Sequence, residues 1–281
     1  MVIKKRLNII ILGASGSIGY SLSNKFYKNG HNIFLFIKNK KKINLLKKKF
    51  KPAQGQIVQF KNLDISNRLN FKKNITENKN LFKKADIIVN TIAEQGQIKN
   101  FFKLNINKFY QTFNTNFFSY IHFFRYIYPY IKHSKNLLII LFSGGGVTGV
   151  RNNFSPYSLS KIVLVKMIEI LSKEFNNKNI RINAVSPGII RSKMTNLVLK
   201  TKKNLVSIKE KNKINKQLKI SDSSLNKIYD LIKFLYTDNG RKITGKIISS
   251  RWDKFKNWDQ RKITQIVKKN IYTLRRKEEL K

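Results

Sequence analysis

Cysteine is absent from the chain. That excludes disulfides, thiolate metal sites and a cysteine nucleophile. The histidines, His31, His122 and His133, lie too far apart in sequence to show metal-ligand spacing, and a helix surface or subunit contact accounts for His122 and His133. Acidic residues are scarce: 14 against 58 Lys plus Arg leave a net charge of +44, which by itself points to nucleic acid or an anionic membrane. The distribution argues against that. Lysine far outnumbers arginine and is spread along the chain, while Asn, Ile and Phe are abundant and Ala, Gly and Pro are few, the drift of an AT-rich coding sequence. A dedicated nucleic-acid surface favours Arg for bidentate contacts and gathers it on one face, so no specific nucleic-acid partner is expected. Long apolar runs are also missing. The run that follows Lys4, Lys5 and Arg6 is broken by Asn8 and ends at Gly13, and the aromatic stretch 117–130 is interrupted by His122, Arg125 and Pro129. Neither reaches the ~20 apolar residues of a membrane span, and the first is too short for a signal sequence, so a cytoplasmic protein without membrane attachment is expected.

What is present can build a core. The chain has 281 residues, 41% of them hydrophobic and 12% aromatic, enough to argue against wholesale disorder despite the charge. Short apolar runs at 7–12, 32–37, 56–60, 87–90, 137–142, 181–185 and 246–248 read as strands. Between them, segments 17–29, 41–50, 67–83, 108–132, 155–175 and 225–236 carry apolar residues at helical spacing. This alternation predicts an α/β fold: a doubly wound, Rossmann-type parallel sheet with helices on both faces, in three layers. One domain over 1–258 accounts for the length, with a lysine-rich, lid-like insertion at about 195–219 and a basic, helical tail at 259–281.

Two constellations carry chemistry. Gly13-Ala14-Ser15-Gly16-Ser17-Ile18-Gly19 follows the first strand and opens a helix, where glycines let the backbone approach a pyrophosphate and the helix start offers free N–H groups. Tyr157 and Lys161, four residues apart, project from one helix face, so that an ammonium beside a phenol favours phenolate. Ser143 adds a second hydroxyl in a glycine-rich turn at the carboxyl end of a strand, where open α/β sheets place ligands.

Together these residues resemble the short-chain dehydrogenase/reductases, from about Leu7 to Trp258. Leu12 to Gly19 is similar to the family's cofactor turn, Asp64 to the acidic residue that reaches the adenine, and Asn90-Thr91-Ile92-Ala93 to its Asn-Asn-Ala-Gly motif. Asn116, Ser143, Tyr157 and Lys161 fall in order on its catalytic tetrad. Pro187, Gly188, Ile190 and Ser192, the last where Thr is usual, match the loop that holds the nicotinamide amide, and Ile243-Thr244-Gly245 matches the entry to its last strand. The chain departs from the pattern in Leu12 for Thr, in the 13-16-19 glycine spacing more typical of the family's longer branch, and in Gly144 where many relatives have a second Ser. The Pro-Gly loop and the Ile-Thr-Gly ending place it in the shorter, single-domain branch.

The resemblance implies reversible hydride transfer between a nicotinamide cofactor and a carbonyl or alcohol substrate. Cofactor-binding positions carried over from it are Gly13, Ser15, Gly16, Ser17, Ile18, Gly19, Asp64, Asn90, Tyr157, Lys161, Pro187, Gly188, Ile190 and Ser192. Tyr157 would donate the proton, Lys161 would lower its pKa and hold the ribose, Ser143 would bind the substrate oxygen, and Asn116 would hold a water leading to solvent. The second strand ends Phe36-Ile37-Lys38-Asn39-Lys40 without a carboxylate, so NADP(H) is expected over the alternative NAD(H), with Lys38 on the 2′-phosphate. A 3-oxoacyl chain or a sugar-like molecule fits as substrate, the latter favoured by Lys200, Lys202 and Lys203. A homodimer or homotetramer built on the aromatic helix and the Tyr157 helix is implied. The competing class is an inactive NAD(P)-binding scaffold or sensor on the same fold.

Overall fold

The computed structural model describes residues 5–175 and 178–276. Seven strands, β1 (Asn8–Leu12), β2 (Asn32–Ile37), β3 (Val58–Asn62), β4 (Ile87–Asn90), β5 (Leu137–Phe142), β6 (Ile180–Ser186) and β7 (Ile247–Ser249), form one sheet in the order β3-β2-β1-β4-β5-β6-β7. Every pairing is parallel. A parallel sheet covered on both faces buries successive side chains on opposite sides, which is why its strands read as unbroken apolar runs. Ile9 and Ile11 join one core with Leu22, Phe26 and Leu235; Ile10 and Leu12 join the other with Phe71, Phe123 and Leu164.

The helices are α1 (Ser17–Lys28), α2 (Lys40–Lys47), α3 (Arg68–Glu77), α4 (Lys79–Lys83), α5 (Ile106–Phe113), α6 (Ser119–Ile131), α7 (Ser155–Glu174), α8 (Lys193–Lys200), α9 (Ile208–Leu218), α10 (Ser221–Tyr236) and α11 (Gln260–Lys268). The abundant asparagine is put to use at their starts: Asn39, Asn67 and Asn105 each accept a hydrogen bond from a backbone N–H of the first turn. Among the described residues no helix is long and apolar enough to cross a membrane.

Two of the expected helices are broken. The segment 67–83 divides at Asn78, which leaves helical geometry and both ends α3 and begins α4. The segment 108–132 is interrupted by a π-helical turn, Asn114–Phe118, whose extra residue carries the fully buried Asn116 inward. The insertion at 195–219 is folded. Helices α8 and α9 close a small core of Val198, Val206, Ile214 and Leu218 over Phe154, fastened by the Arg151–Glu210 ion pair at 2.7 Å. Beyond Trp258 the chain rejoins the main core: Ile263 and Ile266 of α11 are buried, Tyr272 stacks on Trp258, and its carbonyl accepts from the Ile247 amide.

Candidate active site

The strand order reverses between β1 and β4, so the loops leaving their carboxyl ends diverge and open a crevice. A cleft of about 1520 Å³ lies there, walled by the turn after β1, the loops after β4, β5 and β6, the α8–α9 insertion and the segment after β7.

The turn after β1 has the form an anion site requires. Gly16 is the N-cap of α1 and makes no side-chain cap, so the first-turn amides keep their donors for a ligand. Ser15, Gly16, Ser17 and Ile18 line the cleft. Gly13 and Gly19 lie behind that wall and act by being small. A β-carbon on Gly19 would stand 2.4 Å from the Gly13 carbonyl oxygen and 2.9 Å from the Ala14 Cα, so α1 presses on the turn only because position 19 is bare. Thr91, where the resemblance expects Asn, ties the turn to β4: its hydroxyl is shared between the carbonyls of Leu12 at 2.9 Å and Gly13 at 3.1 Å. Asn90 is buried and turns its side chain onto the Ile92 amide.

Lys38 and Asp64 pair with each other at 3.1 Å, and Ser66 also donates to Asp64; these contacts hold the carboxyl below its usual range against the upward pull of burial. Neither residue lines the cleft, whereas Lys42, in the first turn of α2, does. Pro187, Gly188, Ile190 and Ser192 all lie along it. The Ser192 hydroxyl caps α8 by accepting from the Thr195 amide, and the Thr195 hydroxyl donates to the Ile190 carbonyl at 2.6 Å.

Ser143, Tyr157 and Lys161 come together on the cleft wall. Ser143 follows directly on β5, and its Oγ is buried with no hydrogen-bond partner among the described residues. The Tyr157 hydroxyl lies against Gly144, where an added β-carbon would be 2.3 Å away. Lys161 is 1% exposed and donates to the Phe142 carbonyl at 3.0 Å. Burial lowers its pKa to about 8. Burial also pushes the Tyr157 phenol up to about 12, with Arg151 pulling weakly the other way. This reverses the expected direction. The Lys161 ammonium turns to the Phe142 carbonyl and stands 5.9 Å from the Tyr157 ring centre, so desolvation governs the phenol.

Asn116 is kept from the cleft wall. Its Nδ2 donates to the Glu94 carbonyl at 2.9 Å and to Ser160 Oγ at 3.0 Å, and its Oδ1 accepts from the Glu94 amide at 2.9 Å. Ser160 in turn donates to the Tyr157 carbonyl, so Asn116 braces the first turn of α7 against the loop after β4.

A parallel sheet in this order with a glycine turn at its switch point defines a Rossmann-type α/β protein. The sequence profile described as short chain dehydrogenase matches residues 7–203, and the chain belongs to that family. Among its relatives is an 11-beta-hydroxysteroid dehydrogenase A of Sesamum indicum, 26% identical over 66% of this chain and 53% of that protein. A 3-oxoacyl-(acyl-carrier-protein) reductase of Thermotoga maritima is 23% identical over 85% of this chain and 94% of its own. The match spans only 53% and 63% of the length of the sesame protein and of an uncharacterized oxidoreductase from Bacillus subtilis. Of solved structures, a short-chain dehydrogenase of Shigella flexneri complexed with NADP superposes with a TM-score of 0.72 at 19% identity, covering 89% of this chain and 98% of that one. Levodione reductase gives 0.74 at 16%, covering 90% and 100%. At these identities the structural likeness establishes the fold.

Proposed function

We propose that the protein is an NADP(H)-dependent oxidoreductase acting on a carbonyl or alcohol substrate. The observation that carries this reading is the juxtaposition, on one cleft wall, of the Tyr157 hydroxyl, the unpartnered Ser143 Oγ and the buried Lys161 beside an uncapped helix start. The hydride would be supplied or accepted by a nicotinamide dinucleotide bound along the cleft. The chain's residues do the rest. The amides of Ser17 and Ile18 would hold the pyrophosphate, and Pro187, Gly188 and Ile190, which line the cleft, would meet the nicotinamide amide. Ser143 donates to the substrate oxygen and fixes it within reach of Tyr157. A phenol held near 12 stays protonated at neutral pH and serves as the proton donor for reduction. Lys161 binds the ribose and restores the phenol's proton, while Asn116 acts as a brace.

The basic residue poised for a 2′-phosphate is Lys42 on the cleft wall, with Lys38 close by in sequence but engaged by Asp64. NADPH should therefore bind more tightly than NADH, and Lys42→Ala should narrow that ratio about tenfold, as expected for a charge-assisted contact. Lys38→Ala should narrow it less. Fluorescence titration of both cofactors decides: equal affinities, or a ratio unmoved by Lys42→Ala, defeats the assignment.

Activity itself is tested by following NADPH absorbance over a panel of ketones and aldehydes. Tight NADPH binding without turnover on any of them would favour a scaffold or sensor. Gly144→Ala is a sharper probe of geometry, because the new methyl and the Tyr157 hydroxyl cannot share one space. It should lower turnover about 10²-fold, the usual effect of a reacting group misplaced by an ångström, and leave NADPH affinity intact. Exposed apolar side chains on α5 and α7, Ile106, Tyr110 and Leu159, support assembly into a homodimer or homotetramer.

A further inference from the structure

The proton chemistry leaves one buried polar group of the cleft unused. Among the described residues, two buried side-chain polar atoms without a hydrogen-bond partner belong to residues that line the cleft: Ser143 Oγ and Gln95 Nε2. Ser143 is assigned to the reacting oxygen. Gln95, in the loop after β4, is 7% exposed, and leaving an amide donor dry and unpaired is unfavourable enough that such groups are rare in folded proteins.

The backbone on either side of Gln95 is held. Glu94 is gripped at both its N–H and its carbonyl by Asn116. Gly96 has φ +65° and lies so close to the Thr112 hydroxyl that a β-carbon there would be 2.5 Å from it. A side chain on such a fixed base loses little freedom when it binds a ligand, which is what a selective contact requires. Gln95 also lines a second hollow of about 470 Å³, which shares Ala93, Lys193 and Met194 with the cleft wall and has Glu94, Gln97, Lys108 and Gln111 among its polar lining. Gln95 thus shares one cleft with Ser143 and Tyr157.

We propose that Gln95 is a specificity-determining residue whose carboxamide hydrogen-bonds a second oxygen of the substrate, away from the reacting carbon. The substrate is then an oxygenated ketone or alcohol of the hydroxylated, sugar-like kind, and a plain hydrocarbon chain is disfavoured because it would leave the amide unpaired. This rests on the oxidoreductase reading given above.

The test uses three ketones of one size: cyclohexanone, 4-hydroxycyclohexanone and cyclohexane-1,4-dione. The parent protein should show kcat/KM at least about tenfold higher for the two oxygenated ketones than for cyclohexanone, and Gln95→Leu should erase that preference with NADPH affinity unchanged. Gln95→Glu provides a variant that keeps the shape but only accepts. It should retain 4-hydroxycyclohexanone, whose hydroxyl can donate, and lose the dione, which cannot, a split that a purely structural role would not produce. An unchanged ratio in Gln95→Leu overturns the proposal, as does equal handling of both oxygenated ketones by Gln95→Glu. If the parent binds NADPH but turns over none of the three, the panel of ketones and aldehydes decides the catalytic reading separately, and the same three ketones are compared by saturation-transfer NMR. A preference for the oxygenated ketones that Gln95→Leu removes would then uphold the Gln95 contact, and equal signals would overturn it.

Discussion

Tyr157→Phe should bind NADPH as the parent does and reduce its substrate about 10² to 10⁴ times more slowly, the usual worth of a positioned proton donor. The ring is 8% exposed and its packing survives the substitution; only the hydroxyl against Gly144 is lost. Ser143, assigned to the substrate oxygen, is a poor substitute, since among the described residues its Oγ has no partner to resupply its proton. The desolvation that raises Tyr157 to about 12 also sets the pH behaviour. The neutral donor persists well above neutral pH, so a decline in the rate of reduction that sets in above pH 8 would report Lys161, whose pKa burial lowers to about 8 and contact with the ribose would raise again. Single-turnover measurements with pre-bound NADPH separate chemistry from binding, and near-parental turnover by the Phe variant would exclude this mechanism.

The parts of this site that could be read from sequence are those for which the physics is local. Strands buried on both faces must be apolar throughout, so β1, β2, β4 and β5 stand out as runs such as Ile9-Ile10-Ile11-Leu12. The bare positions at Gly13, Gly16 and Gly19 and the four-residue step from Tyr157 to Lys161 are equally local. The π turn around Asn116 was hidden because Phe109 to Tyr130 is apolar on so many faces that one extra residue breaks no visible pattern. Lys42 was hidden in a lysine-rich run, where only the start of α2 at the Asn39 cap decides which lysine faces the cleft. Gln95 carries no sequence signal, since an amide becomes informative only when it is buried without a partner. The sign of the Tyr157 shift depended on the orientation of the Lys161 ammonium, which spacing along a helix does not give.

Lys161→Met should separate stability from function in opposite directions. Lys161 is sealed at 1% exposure with the Phe142 carbonyl as its hydrogen-bond acceptor, and burial lowers its pKa from 10.5 to about 8. Between those values the unfolded chain binds more protons at this residue than the folded one, so the group's contribution to stability rises with pH across that window and is least favourable below pH 8. A shift of this size corresponds to about 3 kcal/mol at neutral pH, and the lost hydrogen bond to Phe142 offsets about 1 kcal/mol of it. Methionine fills a similar volume without a charge. The variant should therefore melt several degrees above the parent at pH 7, with the difference shrinking as pH rises from 8 and reversing by about pH 10.5, where the parent's lysine is neutral and still donates to the Phe142 carbonyl. Taking the difference between the two proteins cancels other groups with lowered pKa values, such as Lys246. Turnover should be lost, and NADPH should raise the parent's melting temperature more than the variant's, because the ammonium that is unfavourable in the free protein is the one assigned to the ribose. A variant no more stable than the parent at pH 7 would overturn the burial penalty, and one that NADPH stabilises equally would remove Lys161 from the ribose.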